Sequence, residues 1–145
     1  MKRAVFAVAT LLLAASSFAQ VTVKDAWIRS TVAQQKTTGI FMQLQSDKDM
    51  KLVAARTPVA ELVEFHQMAM HDDMMHMHAL NSVALPAGKE VALQPGATHL
   101  MVLDLKQQVH AGSKVPVTLV FEGKDGHRET MEIQAIARVL NSPHH

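Results

Sequence analysis

The 145-residue sequence contains no cysteine. A blue-copper electron carrier, a thiol oxidoreductase and a cysteine hydrolase all require a thiolate, so the lack of cysteine excludes these three classes. It also excludes disulfides, which exported proteins of this size often use. Whatever chemistry the protein performs, it performs without a thiol.

Long apolar runs are absent outside the amino terminus. Lys2 and Arg3 precede an apolar stretch that ends near Ala15, and Ser17 and Ala19 are the small residues of a cleavage site. This is the layout of a secretory signal, and the stretch is too short to cross a bilayer of ~30 Å comfortably. We expect residues 1–19 to be removed and the remainder to be soluble in the periplasm, with no membrane span. No cysteine follows the site, which argues against a lipid anchor.

The remaining chain has no excess of positive charge. Without Lys2 and Arg3, the 14 basic side chains fall to 12, against 13 acidic ones. There is no basic stripe, so nucleic acid is not an expected partner. No serine lies in a nucleophile-elbow pattern, so we expect no enzyme activity. Residues 20–140 fit one compact domain, and residues 141–145 form a short tail that ends in His144 and His145.

Short segments of alternating or continuous apolar character, separated by turn residues, predict an all-β protein. Their spacing is typical of an antiparallel sandwich or barrel. Asp72-Asp73 and Asp125-Gly126 are predicted turns, and we expect Trp27 to pack in or near the core. The predicted strands are Val21–Ile28, Thr37–Gln45, Met50–Ala54, Glu61–Met68, Met74–Leu80, Val83–Leu85, Glu90–Leu93, His99–Leu105, Val115–Glu122 and Glu129–Ala137.

Two stretches carry the residues with distinctive chemistry. Residues 66–78 read HQMAMHDDMMHMH, with four histidines and five methionines, and a second stretch contains His99 and Met101. Alternate side chains of a strand share a face, so His99 and Met101 project together, as do His66 and Met68. Two neighbouring strands of this kind can therefore surround one ion with nitrogen and sulfur.

The donor types indicate which metal fits. Thioether sulfur is soft and uncharged, and it binds calcium or magnesium poorly, whereas structural zinc takes cysteine, histidine or carboxylate. Imidazole combined with thioether, without thiolate, indicates copper, particularly Cu(I). Methionine has no proton to lose, so only the histidines make such a site sensitive to moderate acid.

The sequence resembles the PCu(A)C family of periplasmic copper chaperones. Their signature is a histidine, ten residues, a methionine, twenty-one residues, and then His-x-Met. His66, Met77, His99 and Met101 match all four positions at that spacing. Other stretches that resemble the family are DAWIRST, TGIFMQL, PAGKEVALQPGATHLMVLDLK and VPVTLVFE, so the resemblance covers nearly the whole domain.

The resemblance implies a cupredoxin-like Greek-key β-sandwich that binds one Cu(I) through these four side chains. It further implies delivery of copper to cytochrome c oxidase, especially its CuA centre, alongside Sco-like thiol proteins. Some family members carry a methionine directly after the first histidine, whereas this chain has Gln67, and Met68 is a candidate substitute.

The other histidines and methionines have open interpretations. Met68, Met70, Met74 and Met75 either pack near the site or bind metal as auxiliary ligands, and an intermediate interpretation makes them a soft sulfur rim that guides copper or contacts a partner. The imidazoles of His71, His76 and His78 either lie in solvent or bind a second ion, for which Cu(II) is the natural choice. His144 and His145 in the tail either lie in solvent or bind a metal ion weakly.

Three functions compete at this stage. The first is a carrier that hands Cu(I) to an acceptor by ligand exchange. The second is a type-2 copper redox enzyme, which needs an open coordination position and more histidine than sulfur. The third is a sequestration or resistance protein that stores several copper ions through the whole His/Met-rich stretch. Copper stoichiometry and a turnover assay distinguish them.

Overall fold

A computed structural model describes residues 19–139. The predicted signal segment, apart from Ala19, and the tail with His144 and His145 lie outside these residues. The described part contains ten strands and no helix, so the all-β prediction is confirmed. The strands are β1 (Val21–Arg29), β2 (Thr38–Ser46), β3 (Met50–Arg56), β4 (Ala60–His71), β5 (Met74–Leu80), β6 (Val83–Leu85), β7 (Glu90–Leu93), β8 (His99–Leu105), β9 (Lys114–Gly123) and β10 (Arg128–Arg138).

All ten predicted strands are present, and most strand ends agree within about two residues. The main difference is β4, which continues through Met70 to His71 because it stays paired with β5 to the end of the hairpin. A second difference is that β1 and β10 pair in parallel, whereas every other pair is antiparallel as predicted. Within residues 19–139 there is no helix that is long and apolar enough to cross a membrane.

Neighbouring strands are mostly not consecutive in the chain. The hydrogen-bonded order is β5-β4-β8-β2-β1-β10-β9-β3-β6, and β7 also pairs with β2. Apolar residues from both halves of this sheet, such as Ile40 and Leu100 on one half and Leu52 and Leu119 on the other, form a single buried cluster. The sheet therefore folds over on itself, and each strand has one face turned to this core and one turned away.

A bulge in β1 determines which of its side chains reach the core. Lys24 is opposite Gln43, but β1 contains one extra residue before the next pair, in which Trp27 is opposite Phe41. Asp25, within this irregularity, has φ of 53°. Because the extra residue reverses the alternation, Ile28 is fully buried in the core and Trp27 lies on the other face. Trp27, expected in or near the core, is half-buried against Phe41 and lies outside the core cluster.

An ion pair anchors the turn between β9 and β10. The Nζ atom of Lys124 lies 2.9 Å from Oδ2 of Asp49, and the amide of Ala87 donates to Oδ1 of the same carboxylate at 2.7 Å. These two partners, the amide first, hold the pKa of Asp49 below its ordinary value, and Asp49 raises the pKa of Lys124. Clefts of about 530 and 400 Å³ lie around this ion pair. Asp49 and Lys124 are already paired with each other, so we assign this region a structural role.

The hairpin of β4 and β5 ends in a two-residue turn. His71 pairs with Met74, and the residues between them, Asp72 and Asp73, have φ of 50° and 61°. Positive φ at both central residues is the type I′ conformation, whose twist matches that of the flanking strands. Aspartate tolerates this conformation better than most side chains, which confirms the predicted turn.

Replacing Asp73 with valine should loosen this hairpin. A β-branched residue is strongly disfavoured at positive φ, at a cost of about 1–2 kcal/mol. We expect amide hydrogen exchange in β5 to accelerate by roughly 5–30-fold, while exchange in β9 stays unchanged. Asp73→Asn is the matched control because asparagine accepts the same conformation, and it should exchange as the native protein does. Equal acceleration in both variants would contradict the turn assignment.

Candidate metal centre

Strand β8 brings the two stretches of the sequence together, because it lies between β2 and β4. In its pairing with β4, His99 is directly opposite His66, and Met101 is directly opposite Glu64. Leu100 is fully buried in the core, so His99 and Met101 occupy the face of β8 turned away from it. The two imidazole rings lie 6.1 Å apart between centroids.

Strand β5 adds the other predicted methionine. Met77 is directly opposite Met68 on β4, and Met68 shares a face with His66 two residues earlier. Met68, Met77, His99 and Met101 all line one cleft of about 280 Å³. His66 lies beside this cleft, next to the His99 ring, and does not line its surface. Although larger clefts occur elsewhere, this cleft brings an imidazole together with several thioethers.

Hydrogen bonds hold both rings and leave one nitrogen of each available. Nδ1–H of His99 donates to the carbonyl oxygen of Ala97 at 3.0 Å, so Nε2 carries the free lone pair. In His66, Nε2 is bonded to Oε2 of Glu64 at 2.8 Å, while Nδ1 is buried and has no hydrogen-bond partner. Buried polar atoms nearly always have a hydrogen-bond partner, so a buried imidazole nitrogen without one is suited to binding a metal ion. Nδ1 of His66 and Nε2 of His99 are the candidate donors.

Aromatic rings form the wall behind the histidines. The Phe41 ring lies 4.5 Å from Trp27 and 6.0 Å from His99 between centroids, and the Arg29 guanidinium lies 5.8 Å above Phe41. Gly39, directly opposite Met101 in the pairing of β2 with β8, makes room for this arrangement. A Cβ atom on Gly39 would approach the Phe41 ring to 2.7 Å. The wall is therefore closely packed, and His99 is only 6% exposed.

The remaining sequence candidates separate by face. Met70 and Met75 are directly opposite each other and share the face of Met68 and Met77, farther along the hairpin. The other face carries His71, His76, His78 and Met74. The rings of His71 and His76 lie 6.0 Å apart, and those of His76 and His78 lie 6.4 Å apart. His144 and His145 lie outside the described residues.

Nitrogen and oxygen donors alone do not form a site. Between residues 19 and 139, no group of three or more histidine, aspartate and glutamate side chains is arranged to hold a metal ion. His66 and His99 therefore need donors of another kind to complete a coordination sphere. The thioethers that line the cleft are the available donors.

Sequence reasoning missed two contributors to this region. Glu64 is two residues before His66 on the same predicted strand, so alternation alone placed the carboxylate beside the imidazole. Phe41 is in a predicted strand, and the same alternation put it on the face away from the core. No sequence signal showed that β8 would bring His99 against both of them, because that pairing joins segments distant in the chain.

Comparison with known proteins identifies the family of this chain. Residues 21–135 match the model of the LpqE-like family, whose members are described as lipoproteins. The chain belongs to the LpqE-like family, which is of the PCuAC type. The protein Lxx21020 of Leifsonia xyli subsp. xyli, also named as a lipoprotein, is 29% identical over 104 residues. That match covers 70% of this chain and 61% of Lxx21020, so the LpqE-like chain spans about three-fifths of that relative.

Solved PCuAC domains share the fold of this LpqE-like chain. The copper-bound PCuAC domain from PmoF2 is 21% identical, with a TM-score of 0.66, and the match covers 82% of this chain and 92% of that domain. The solution structure of CuI-DR1885 from Deinococcus radiodurans is 27% identical, with a TM-score of 0.65 and coverages of 88% and 85%. The cupredoxin-like β fold expected from the sequence is confirmed.

Adding a methyl group at Gly39 should disturb the aromatic wall. In Gly39→Ala, the Phe41 ring must move because it lies 2.7 Å from the new Cβ position. Phe41 is buried between Trp27 and His99, so relief by rotation is limited, and we expect destabilisation of about 1–3 kcal/mol. Urea unfolding monitored by fluorescence of the single tryptophan measures this directly.

Gly88→Ala is an informative comparison for the Gly39 variant. Gly88 has φ of 73°, and a methyl group added there would have no neighbour within 4 Å, so any loss comes from backbone strain. Only the Gly39 variant should also shift the NMR resonances of the His99 ring. An unshifted His99 ring in Gly39→Ala would contradict the contact between wall and site.

Proposed function

We propose that this protein is a copper carrier that binds one Cu(I) through His66, Met77, His99 and Met101. The observation that carries the proposal is the cleft lined by His99, Met77 and Met101, with the His66 ring 6.1 Å from the His99 ring, where no group of three nitrogen and oxygen donors is present among residues 19–139. Cu(I) suits such a mixed soft set, while Cu(II) favours nitrogen and oxygen donors. Copper is present in the related PmoF2 and DR1885 structures, which supports this choice of metal.

The ligands differ in how easily each can leave the metal. His99 is 6% exposed and is fixed by its bond to Ala97, whereas Met77 is 46% exposed and lies on β5, the strand at one end of the sheet order. We infer that Met77 detaches first and opens the copper to an incoming donor. A thiolate or imidazole of the acceptor then replaces the remaining ligands in turn. Thioethers carry no proton, so this exchange needs neither redox chemistry nor proton transfer at sulfur.

Glu64 acts as a positioning residue for His66. When Nε2–H donates to the Glu64 carboxylate, the lone pair is on the buried Nδ1, which faces no other partner. A carboxylate behind a metal-binding histidine fixes its tautomer and raises its basicity. Because Glu64 is itself opposite Met101, the single pair of strands β4 and β8 supplies three of the proposed ligands and the carboxylate that supports one of them.

The cellular role that fits such a carrier is transfer in the periplasm, after export directed by residues 1–19. The resemblance to PCu(A)C chaperones supports cytochrome c oxidase, through its CuA centre, as the final destination, with a Sco-like thiol protein as an intermediate acceptor. A transfer assay between the copper-loaded protein and each purified acceptor tests this part separately from binding.

Anaerobic competition titration with a Cu(I) chelator tests the carrier proposal. The native protein should bind one equivalent of Cu(I) tightly. Met101→Leu and Met77→Leu should each lower the Cu(I) affinity by roughly tenfold or more, because loss of a residue that merely supports a metal ligand already has an effect of that size. Leucine keeps the size and apolar character of methionine, so the fold should be preserved.

Two other methionines provide matched controls for that titration. Met131→Leu replaces a partly buried methionine on β10, and Met74→Leu replaces an exposed one on the same hairpin. Both should bind as the native protein does. Several weak equivalents that survive the Met101 and Met77 replacements would instead favour a multi-copper sequestration protein, and turnover by the copper-loaded protein would favour a redox enzyme.

Replacement of Glu64 tests the positioning role. Glu64→Leu should weaken Cu(I) binding by about 10–100-fold, and Glu64→Gln by less, because glutamine keeps an acceptor oxygen. In the copper-free protein, long-range ¹H–¹⁵N NMR should show the proton of His66 on Nε2 in the native protein and a mixed tautomer in Glu64→Leu. An unchanged tautomer in Glu64→Leu would show that the carboxylate does not orient the ring.

A further inference from the structure

Four of the five methionines in the hairpin of β4 and β5 lie on one face. Two directly opposite methionine pairs, Met68 with Met77 and Met70 with Met75, follow each other along one face. The inner pair lines the copper cleft, whereas the outer pair lies toward the turn. The face therefore presents a continuous row of thioethers from the hairpin end to the proposed site.

The outer pair has no evident packing role. Met70 is 66% exposed and Met75 is 49% exposed, and neither belongs to the hydrophobic core or to the residues packed against it. Exposed strand positions ordinarily favour β-branched or polar side chains, and clustered exposed apolar groups usually indicate a binding surface. The identity and the directly opposite placement of these two residues therefore need an explanation other than stability.

Strand geometry allows the sulfur atoms to converge. Directly opposite Cβ atoms lie about 4.5–5.5 Å apart, and successive pairs on one face lie about 7 Å apart along the strand. Methionine has three rotatable side-chain bonds, so thioethers at such spacings can meet at one ion without movement of the backbone. Both sulfur atoms of the outer pair can also reach an ion shared with the inner pair.

We propose that Met70 and Met75 form an outer Cu(I) site that receives copper first and passes it to the inner site through Met68 and Met77. This inference rests on the inner site proposed above and assigns its route of entry. Each step forms one Cu–S bond before another breaks, so the ion stays coordinated while its oxidation state and the protonation of the ligands remain unchanged. The buried imidazoles at the inner end then bind it more tightly.

The opposite face of the hairpin is the competing location for a second ion. His71, His76 and His78 are near one another, but they are not gathered as a group of three around a point in the described part of the chain. Imidazole would select Cu(II) ahead of Cu(I). A second copper on the histidine face would therefore be Cu(II), whereas one on the methionine face would be Cu(I).

NMR of protein labelled with ¹³C in the methionine methyl groups tests the outer site, because Cu(I) is diamagnetic. During anaerobic titration with Cu(I), the first equivalent should shift the methyl signals of Met77 and Met101. Copper beyond one equivalent should shift the methyl signals of Met70 and Met75. The methyl signal of Met74, which is 63% exposed on the opposite face, should stay unchanged. Equal shifts of Met74 and of the outer pair would reject the outer site.

The double variant Met70→Leu/Met75→Leu provides the functional test, with Met74→Leu as its control. The double variant should lose the second, weaker equivalent and take up Cu(I) from a chelator several-fold more slowly, while the affinity of its first equivalent changes less than twofold. Met74→Leu should match the native protein in all three measurements. Native uptake by the double variant, or a second equivalent that persists in it, would overturn the proposal.

These outcomes distinguish a failure of the inner site from a failure of the outer site. If the first equivalent fails to shift Met77 and Met101, the inner site is wrong. If those signals shift while Met70 and Met75 stay silent at every copper concentration, only the outer site is wrong.

Discussion

The pairing of β8 with β4 is the constraint on which the proposed site depends. In the observed register His99 is opposite His66, and Met101 is opposite Glu64. Because side chains alternate with a period of two, a slip of one residue would turn His99 and Met101 into the core. The complete burial of Leu100 and Val102 opposes such a slip, since these residues would then be exposed. Burial on one face thus places the polar chemistry on the other.

The same arrangement makes one side of the proposed site buried and the other side exposed. At its inner side, His99 is buried, is hydrogen-bonded to the Ala97 carbonyl and lies beside the Phe41 ring. At its outer side, Met77 lies on a hairpin strand whose residues are almost all exposed. A carrier needs tight retention together with ready release. In the proposed site, fixed imidazoles and an exposed thioether would provide both, because the exposed ligand could exchange while the others held the ion.

Local patterns predicted much of this molecule, and long-range pairings account for what they missed. Alternation and turn residues located all ten strands, and the turn at Asp72-Asp73 followed from its composition. The spacing from His66 to Met101 predicts a ligand set through resemblance to a family, and that set stays a prediction. By contrast, the position of Trp27 depends on one extra residue near Asp25, which periodicity alone does not show. The support from Glu64 was accessible from alternation, but its significance emerged only from the orphaned Nδ1 of His66.

The central claim concerns which atoms bind copper, and anomalous diffraction at the copper edge measures this most directly. Crystals of the protein loaded anaerobically with one equivalent of Cu(I) would be used. We expect a single peak within bonding distance of Nδ1 of His66, Nε2 of His99 and the sulfur atoms of Met77 and Met101. A peak on the face of His71 and His76, or one coordinated without either His66 or His99, would contradict it.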